Sequence, residues 1–358
     1  MDAEFSYFID VVKQNCDISD ASSAGIFSIC GLALRLRDLY KWEHKLPPWI
    51  EKNSSQIIDW IDQKEQLWEK IAENKFSKLP LFENNYDPFD TIDINIKLAP
   101  HKLYYGAGYA HSLKPSFFLA QIENIKTINN VKIFTLSKEL ARDILTIPAL
   151  TQDNSVVFRK DSARLLLWDQ MAYLKKSGQP ALFFALKQCG LPDPKPETRK
   201  LYLEKILSVQ TETYIYHEIG EIKDTVFNID IWRNLISEFA HTPVELLART
   251  VKDLLADTHP MGTLNNIIKK KNIAGLGFYA AFIDGFLKII FPQLRTAFEN
   301  FLSTRDWKII ESARETGFAT SKQYAQNMIE IFQKGQKRND IKWASDEINE
   351  KLIKPLLK

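Results

Sequence analysis

The chain has 358 residues, of which 45% are hydrophobic and 26% are charged, so it is a globular sequence long enough for two or three domains. A formal net charge of +2 excludes the strong basic excess that nucleic-acid-binding domains usually carry. The three cysteines are far apart and odd in number, which excludes a disulfide framework and a cysteine-based zinc pattern.

No targeting or membrane segment is expected. The start of the chain lacks the basic, apolar and small-residue order of a secretory signal, so we expect a cytoplasmic protein. The most apolar run, residues 273–291, contains Asp284 and Lys288 and is short for a membrane span. It predicts a central core helix that is apolar nearly all round.

The first 89 residues predict a layer of helices. Apolar residues recur at helical spacing near residues 5–12, over residues 22–44 and again after Asn53. Pro47 ends the second of these segments, because proline cannot continue a helix.

The charged and aromatic residues at the end of the second predicted helix allow two functional interpretations. Residues 35–51, from Arg35 to Glu51, are dense in charges and aromatic rings, including Arg37, Trp42 and Trp49. Arginine, tyrosine and tryptophan are enriched at binding hot spots. The segment is therefore either a helix that covers the core or a surface that binds a protein partner, and a homo-oligomer is compatible with both.

Residues 90–160 predict a small antiparallel sheet. The segment opens with apolar residues that alternate with polar ones, the pattern of a half-buried strand: Ile92, Ile94, Ile96 and Leu98.

Two single strands and one hairpin are predicted in the rest of the sheet. Residues 102–110 predict a strand with a bulge or turn at its glycines, and residues 155–159 predict another strand. Two apolar runs, residues 117–128 and 131–136, flank Asn129-Asn130. This pattern predicts a hairpin, because asparagine tolerates the left-handed backbone of a tight turn.

From Asp161 onward the pattern is helical again. Residues 161–192 predict connecting helices, the proline-rich residues 192–196 predict a domain boundary, and residues 193–358 predict a larger helical domain. The predicted fold is mainly α with a small antiparallel β-sheet, an α+β class. It consists of a helical N-terminal layer, an inserted sheet and a larger C-terminal helical domain.

Within that domain, residues 214–221 place a histidine and two carboxylates where a helix is expected to be buried. At about 100° per residue, His217 and Glu221 share the apolar stripe that begins at Leu203, and Glu218 lies at its edge. A buried carboxylate usually pairs with a cation or binds a metal. The pattern therefore predicts either an internal His217–Glu221 ion pair or a site for metal or acid–base chemistry.

Gly220 lies inside the same predicted helix. Glycine in a helix interior costs roughly 1 kcal/mol relative to alanine. It therefore predicts a close approach to the helix backbone, by another helix or by a ligand.

Glu238 and His241 add a second group of candidate ligands. Their Glu-x-x-His spacing is the one that helical bundles use to hold di-iron centres. Such a centre needs a second Glu-x-x-His, which the sequence does not contain. We therefore expect at most additional metal ligands beside His217 and Glu221.

The next helix has a clear start. Thr242 and Glu245 have the spacing of a capping box, which makes Glu245 structural. On the helix that follows, Asp253 and Asp257 are predicted to lie on the solvated face, and His259 is predicted to lie in the loop at its end.

Residues 216–221 are similar to the His-Asp-x-Gly core of the HD-type metal phosphohydrolases, with Glu218 in place of the aspartate. That family completes its metal shell with a histidine further upstream, whereas no histidine lies between His111 and His217. The resemblance is confined to these residues, and we transfer no function from it.

The sequence supports two functional hypotheses. The first is a metal-dependent, hydrolase-type enzyme. In it His217, Glu221, Glu238 and His241 hold a divalent metal ion, and Glu218 acts as general base toward a bound water. The second is a non-catalytic interaction or scaffold protein that uses residues 35–51.

Overall fold

In a computed structural model, which describes residues 3–357, the chain forms two compact units, Met1–Asp169 and Gln170–Lys358. Helices hold 66% of the residues and strands 14%, which confirms the mainly helical α+β class. The finer division at residues 89, 160 and 192 stays a prediction.

The first unit begins with helices and continues into two small sheets. Asn53 caps the third helix by accepting a hydrogen bond from the Ser55 amide at 3.2 Å, so the predicted helix start is confirmed. The boundary between the units falls within the last helix of this group. The elements are α1 (Ala3–Ser23), α2 (Ile29–Glu43), α3 (Ser54–Ile71), β1 (Leu79–Leu81), β2 (Asn84–Tyr86), α4 (Thr91–Leu98), β3 (Leu103–Tyr109), β4 (Pro115–Ile128), β5 (Val131–Arg142), β6 (Ala149–Gln152), β7 (Ser155–Arg159) and α5 (Lys160–Ala172).

The larger sheet has the strand order β3-β4-β5-β7-β6. The predicted hairpin joins β4 and β5, and Asn129 and Asn130 have φ angles of 50° and 62°, the left-handed values that the turn requires. All neighbouring pairs are antiparallel except β5 and β7, which are parallel. The side chain of Gln152 at the end of β6 bonds the backbone of Tyr105 and Ala107 on β3, each at 3.1 Å, and so joins the two outer strands.

The strand predicted from Ile92 to Leu98 is wrong, because these residues form helix α4. Ile94 and Leu98 are fully buried, whereas Ile92 and Ile96 are 60% and 62% exposed. Positions four residues apart share one face of a helix, so half of the alternating apolar residues point into the core and the other half point away from it.

A buried ionic cluster attaches α1 to the start of β4. The ammonium group of Lys114 lies 2.9 Å from Asp20 and 3.8 Å from Asp143, and all three side chains are almost completely buried. It also donates to the Ser19 hydroxyl at 2.7 Å. The Asp20 carboxylate accepts a bond from the Ile144 amide, so the buried charges are paired and hydrogen bonded.

The second unit is helical throughout its described residues. Its elements are α6 (Gln179–Gln188), α7 (Pro196–Lys223), α8 (Ile229–Glu238), α9 (Pro243–Thr258), α10 (Thr263–Lys269), α11 (Ile273–Phe282), α12 (Gly285–Ile290), α13 (Pro292–Thr304), α14 (Trp307–Arg338) and α15 (Ile341–Ile348). The proline-rich residues 192–196 lead directly into α7, with Pro196 at its first turn, where a missing amide proton costs nothing.

Helices α7 and α9 cross with their backbones almost in contact. A β-carbon on Gly220 would lie 2.2 Å from the carbonyl oxygen of Ala256, a distance that real atoms do not reach. The close approach predicted from Gly220 is therefore confirmed, and another helix makes it.

The single core helix predicted over residues 273–291 is wrong. Two helices occupy this run, α11 and α12. The break between them consists of Ile283 and Asp284, and Gly285, with φ of 58°, begins α12. Extended backbone at Ile283 and Asp284 ends α11, and the apolar content of the run does not signal that break.

Candidate functional site

The candidate site lies where α7, α9 and α11 meet in the second unit. α7 runs without interruption from Pro196 to Lys223, so His217 and Glu221 are one turn apart on one helix. Their side chains are 26% and 21% exposed, which leaves both groups reachable from solvent. Glu218 is more deeply buried than either of them.

The imidazole of His217 is fixed on one side by a carboxylate from α9. Its Nδ1 lies 2.9 Å from Oδ1 of Asp257. Because an ionised carboxylate only accepts hydrogen bonds, we assign the donor proton of this bond to Nδ1. The second oxygen of Asp257 accepts a bond from the Tyr279 hydroxyl of α11, also at 2.9 Å.

The other ring nitrogen of His217 faces two further carboxylates. Its Nε2 lies 3.8 Å from Oε1 of Glu221 and 3.9 Å from Oδ1 of Asp253. One ligand atom from each of these three residues lies within 4.8 Å of the others, and among residues 3–357 this is the group that has the spacing of a metal site. One imidazole nitrogen and two carboxylate oxygens are donors that suit a divalent cation.

Charge at the site is predominantly negative. Four carboxylates lie on or around the imidazole, those of Glu218, Glu221, Asp253 and Asp257. The ammonium group of Lys252 forms an ion pair with the second oxygen of Glu221 and supplies one positive charge. His217 supplies another only when it is protonated, so the group attracts cations.

The pKa values follow from this balance of burial and charge. Burial alone would lower the pKa of His217, but the charge and hydrogen bond of Asp257, together with Asp253 and Glu218, raise it well above its usual value. Partial burial raises the pKa of Asp253 to about 6 against the opposing effect of His217, with further contributions from Glu221 and Asp257. Burial would also raise the pKa of Glu221, but the Lys252 ammonium and His217 hold it below its usual value.

The start of helix α9 has the predicted form. The capping box is confirmed, because Thr242 accepts a bond from the Glu245 amide and Glu245 accepts one from the His241 amide.

Helix α9 also carries two residues that the sequence does not assign to the site. Asp253 and Asp257, one turn apart, are expected on a solvated face. That expectation is wrong for Asp257, which is buried against α7 and α11, whereas half of the Asp253 side chain is exposed.

The other sequence-based ligands lie elsewhere. Glu238 is the last residue of α8 and His241 follows in the turn, both exposed. Neither belongs to the group formed by His217, Glu221 and Asp253. His259 caps the end of α9, as predicted, and its Nδ1 accepts a bond from the Met261 amide at 3.0 Å.

Two domain families account for nearly the whole chain. Residues 7–159 match the N-terminal domain of the family of unknown function DUF6866, and residues 164–351 match its C-terminal domain. The chain belongs to the DUF6866 family. No curated protein and no solved structure matches it.

In this DUF6866 chain the candidate site lies entirely within the match to the C-terminal domain, from His217 to Tyr279. Helices that are both long and apolar enough to cross a bilayer are absent from residues 3–357.

The N-terminal domain of the DUF6866 chain contains residues 35–51, the other functional candidate. Two of the positive charges in this segment, those of Arg37 and Lys41, are paired with carboxylates of the same unit. Arg37 forms ion pairs with Asp38 and Asp169, and the buried ammonium group of Lys41 bonds the Pro48 carbonyl and Glu51, each at 2.7 Å. These contacts favour the interpretation as a helix and loop that cover the core of the N-terminal unit.

Proposed function

We propose that the DUF6866 chain is a metal-dependent enzyme of the hydrolase type. A divalent metal ion binds at Nε2 of His217 and at carboxylate oxygens of Glu221 and Asp253. Glu238 and His241 are outside this proposed ligand set because both are exposed at the end of α8 and in the turn after it.

The observation that carries the proposal is the orientation of His217. A metal-ligating histidine almost always donates its other N–H group to a carboxylate or a carbonyl, which fixes the ring. Asp257 takes that role at 2.9 Å, and Tyr279 in turn fixes Asp257 at 2.9 Å. The remaining nitrogen then faces Glu221 and Asp253, the two groups needed to complete the ligand set.

The choice of reaction class follows from the number of protein ligands. Sites with three protein ligands keep at least one coordination position for water, and a metal ion makes a bound water a nucleophile near neutral pH. Glu218, buried on the same helix next to His217, is the proposed general base. Oxygen chemistry at a di-iron centre would need a second ligand group, which the proposed site does not include.

Metal binding by the purified full-length protein tests the proposal. We expect stoichiometric binding of Co²⁺, Mn²⁺ or Zn²⁺ in calorimetric titrations, and we expect the His217→Ala, Glu221→Ala double variant to lose it. The Glu238→Ala, His241→Ala double variant is the matched control, since it removes the same residue types from exposed positions, and it should bind metal normally. A wild-type protein that binds none of these ions, and whose unfolding temperature is the same with and without EDTA, contradicts the proposal.

A further inference from the structure

The charge around the proposed metal ion bears on which substrates the site accepts. Four carboxylates surround the imidazole, and their charges exceed those of a divalent cation and one ammonium group combined. With His217 neutral as a metal ligand, the loaded site still has a net negative charge.

The basic side chains near the site do not reverse this balance. The ammonium group of Lys252 is already paired with Glu221. The guanidinium group of Arg249, one turn before Asp253, is paired with the fully buried Glu245 at 2.8 Å. Neither is positioned to bind an anionic substrate without first giving up a carboxylate partner.

Tyr279 does not change the charge either. Burial, with Asp257 and Asp253 nearby, raises the pKa of its hydroxyl well above the usual value, so it stays neutral and donates to Asp257.

We infer that the substrate of this site is uncharged or cationic at its reacting group, so that phosphate esters and other anions are excluded. The reason is repulsion: an anion that approaches the metal ion must enter the field of Glu218, Glu221, Asp253 and Asp257 in a partly desolvated space, where charges interact more strongly than in water. This inference rests on the proposed function, because it concerns the metal-loaded site.

The experiment uses full-length protein loaded with Co²⁺, whose visible spectrum reports changes in its ligands. Inorganic phosphate is the anionic probe, and imidazole at about pH 8 is the uncharged probe. We expect imidazole to change the spectrum at lower concentration than phosphate does. We also expect phosphate binding to become tighter as NaCl is added, because salt screens repulsion between like charges.

A charge-removing variant gives an independent measurement. Glu218→Gln should tighten phosphate binding about fivefold or more and leave imidazole binding unchanged, because only the anion interacts with the removed charge. Asp346→Asn is the matched control, since it removes one exposed carboxylate on α15 of the same unit, and it should change neither affinity.

The outcomes separate the two proposals. Co²⁺ binding followed by phosphate binding that is tighter than imidazole binding, or that weakens as salt is added, overturns the substrate inference and leaves the metal site standing. Phosphate binding that is identical in the wild-type protein and a folded Glu218→Gln variant overturns it as well. Failure of the wild-type protein to bind Co²⁺ overturns the proposed function, and the substrate inference with it.

Discussion

Gly220 on α7 and Ala256 on α9 are in backbone contact, and this contact brings His217 within reach of Asp257. A β-carbon at position 220 would lie 2.2 Å from the Ala256 carbonyl oxygen, so the helices must separate to accept any other residue. Gly220→Ala should therefore destabilise the protein by about 1–3 kcal/mol, the usual cost of overpacking a tight interior. Thermal unfolding measures this change.

Gly25→Ala is the matched control for this prediction, because a β-carbon at Gly25 meets no atom within 4 Å. Its unfolding temperature should stay close to that of the wild-type protein. Equal stability of the Gly220→Ala variant and the wild-type protein would contradict the close contact between α7 and α9 at Gly220 and Ala256.

Tyr279→Phe should weaken divalent metal binding about tenfold or more, because partners that orient a metal-binding histidine typically contribute that much. The variant removes the hydroxyl that donates to Asp257 at 2.9 Å and leaves the ring in place. Calorimetry with Co²⁺ gives the affinity. Tyr202→Phe removes a hydroxyl from α7 outside the cluster and should bind as the wild-type protein does; equal affinities for all three proteins would exclude a positioning role for Tyr279.

The stability of the N-terminal unit should depend on the protonation of Asp169. Burial and the neighbouring Asp38 raise the pKa of this carboxyl from its ordinary value of 3.8 to about 7 in the folded protein. The folded state therefore binds a proton more tightly than the unfolded state does, and stability should fall as the pH rises through this window.

Unfolding temperatures at about pH 5 and pH 8 test the sign of this dependence. Asp169→Asn should reduce the loss of stability between the two values, whereas Asp59→Asn, at an exposed position on α3, should leave the loss unchanged. A loss of the same size in the Asp169→Asn variant would mean that another group is responsible.

Lys114→Met should destabilise the protein by about 3–5 kcal/mol, because it leaves the buried carboxylates of Asp20 and Asp143 without their cation. Chemical denaturation measures the loss. Lys13→Met is the matched control, because it breaks an exposed ion pair with Asp10 on α1, and such pairs contribute about 0–1 kcal/mol. Similar losses in the two variants would contradict the structural role of the buried cluster.

Local chemistry explains which elements were predicted correctly from the sequence. Asn129 and Asn130 accept left-handed backbone angles, and the capping box at Thr242 depends only on residues three apart, so both features can be read without knowledge of the fold. The segment from Ile92 to Leu98 was predicted wrongly because its alternating pattern fits a strand, while its burial repeats every four residues.

The sequence predicts two ligands on α7, His217 and Glu221, that the structure groups with Asp253, and two others, Glu238 and His241, that lie outside this group. His217 and Glu221 were identified because their own helix has an apolar stripe that includes them. Asp257 bonds His217 on another helix, and the spacing of residues within α9 does not show that these two side chains meet. Two features of the sequence point to the missing residues. Asp253 and Asp257 are one turn apart on their helix, as His217 and Glu221 are on theirs, and Gly220 allows the two helices to approach closely.

The amide side chains at the outer strand β3 affect how this sheet meets other molecules. Asn95 donates to and accepts from the Tyr105 backbone at 2.8 Å in each case, and Gln152 occupies the amide of Ala107. An unprotected outer strand is a template on which a foreign chain can pair and aggregation can start. Here the amide and carbonyl of Tyr105 and the amide of Ala107 are already bonded, so two uncharged side chains, instead of lysine or proline, protect this part of the strand from pairing.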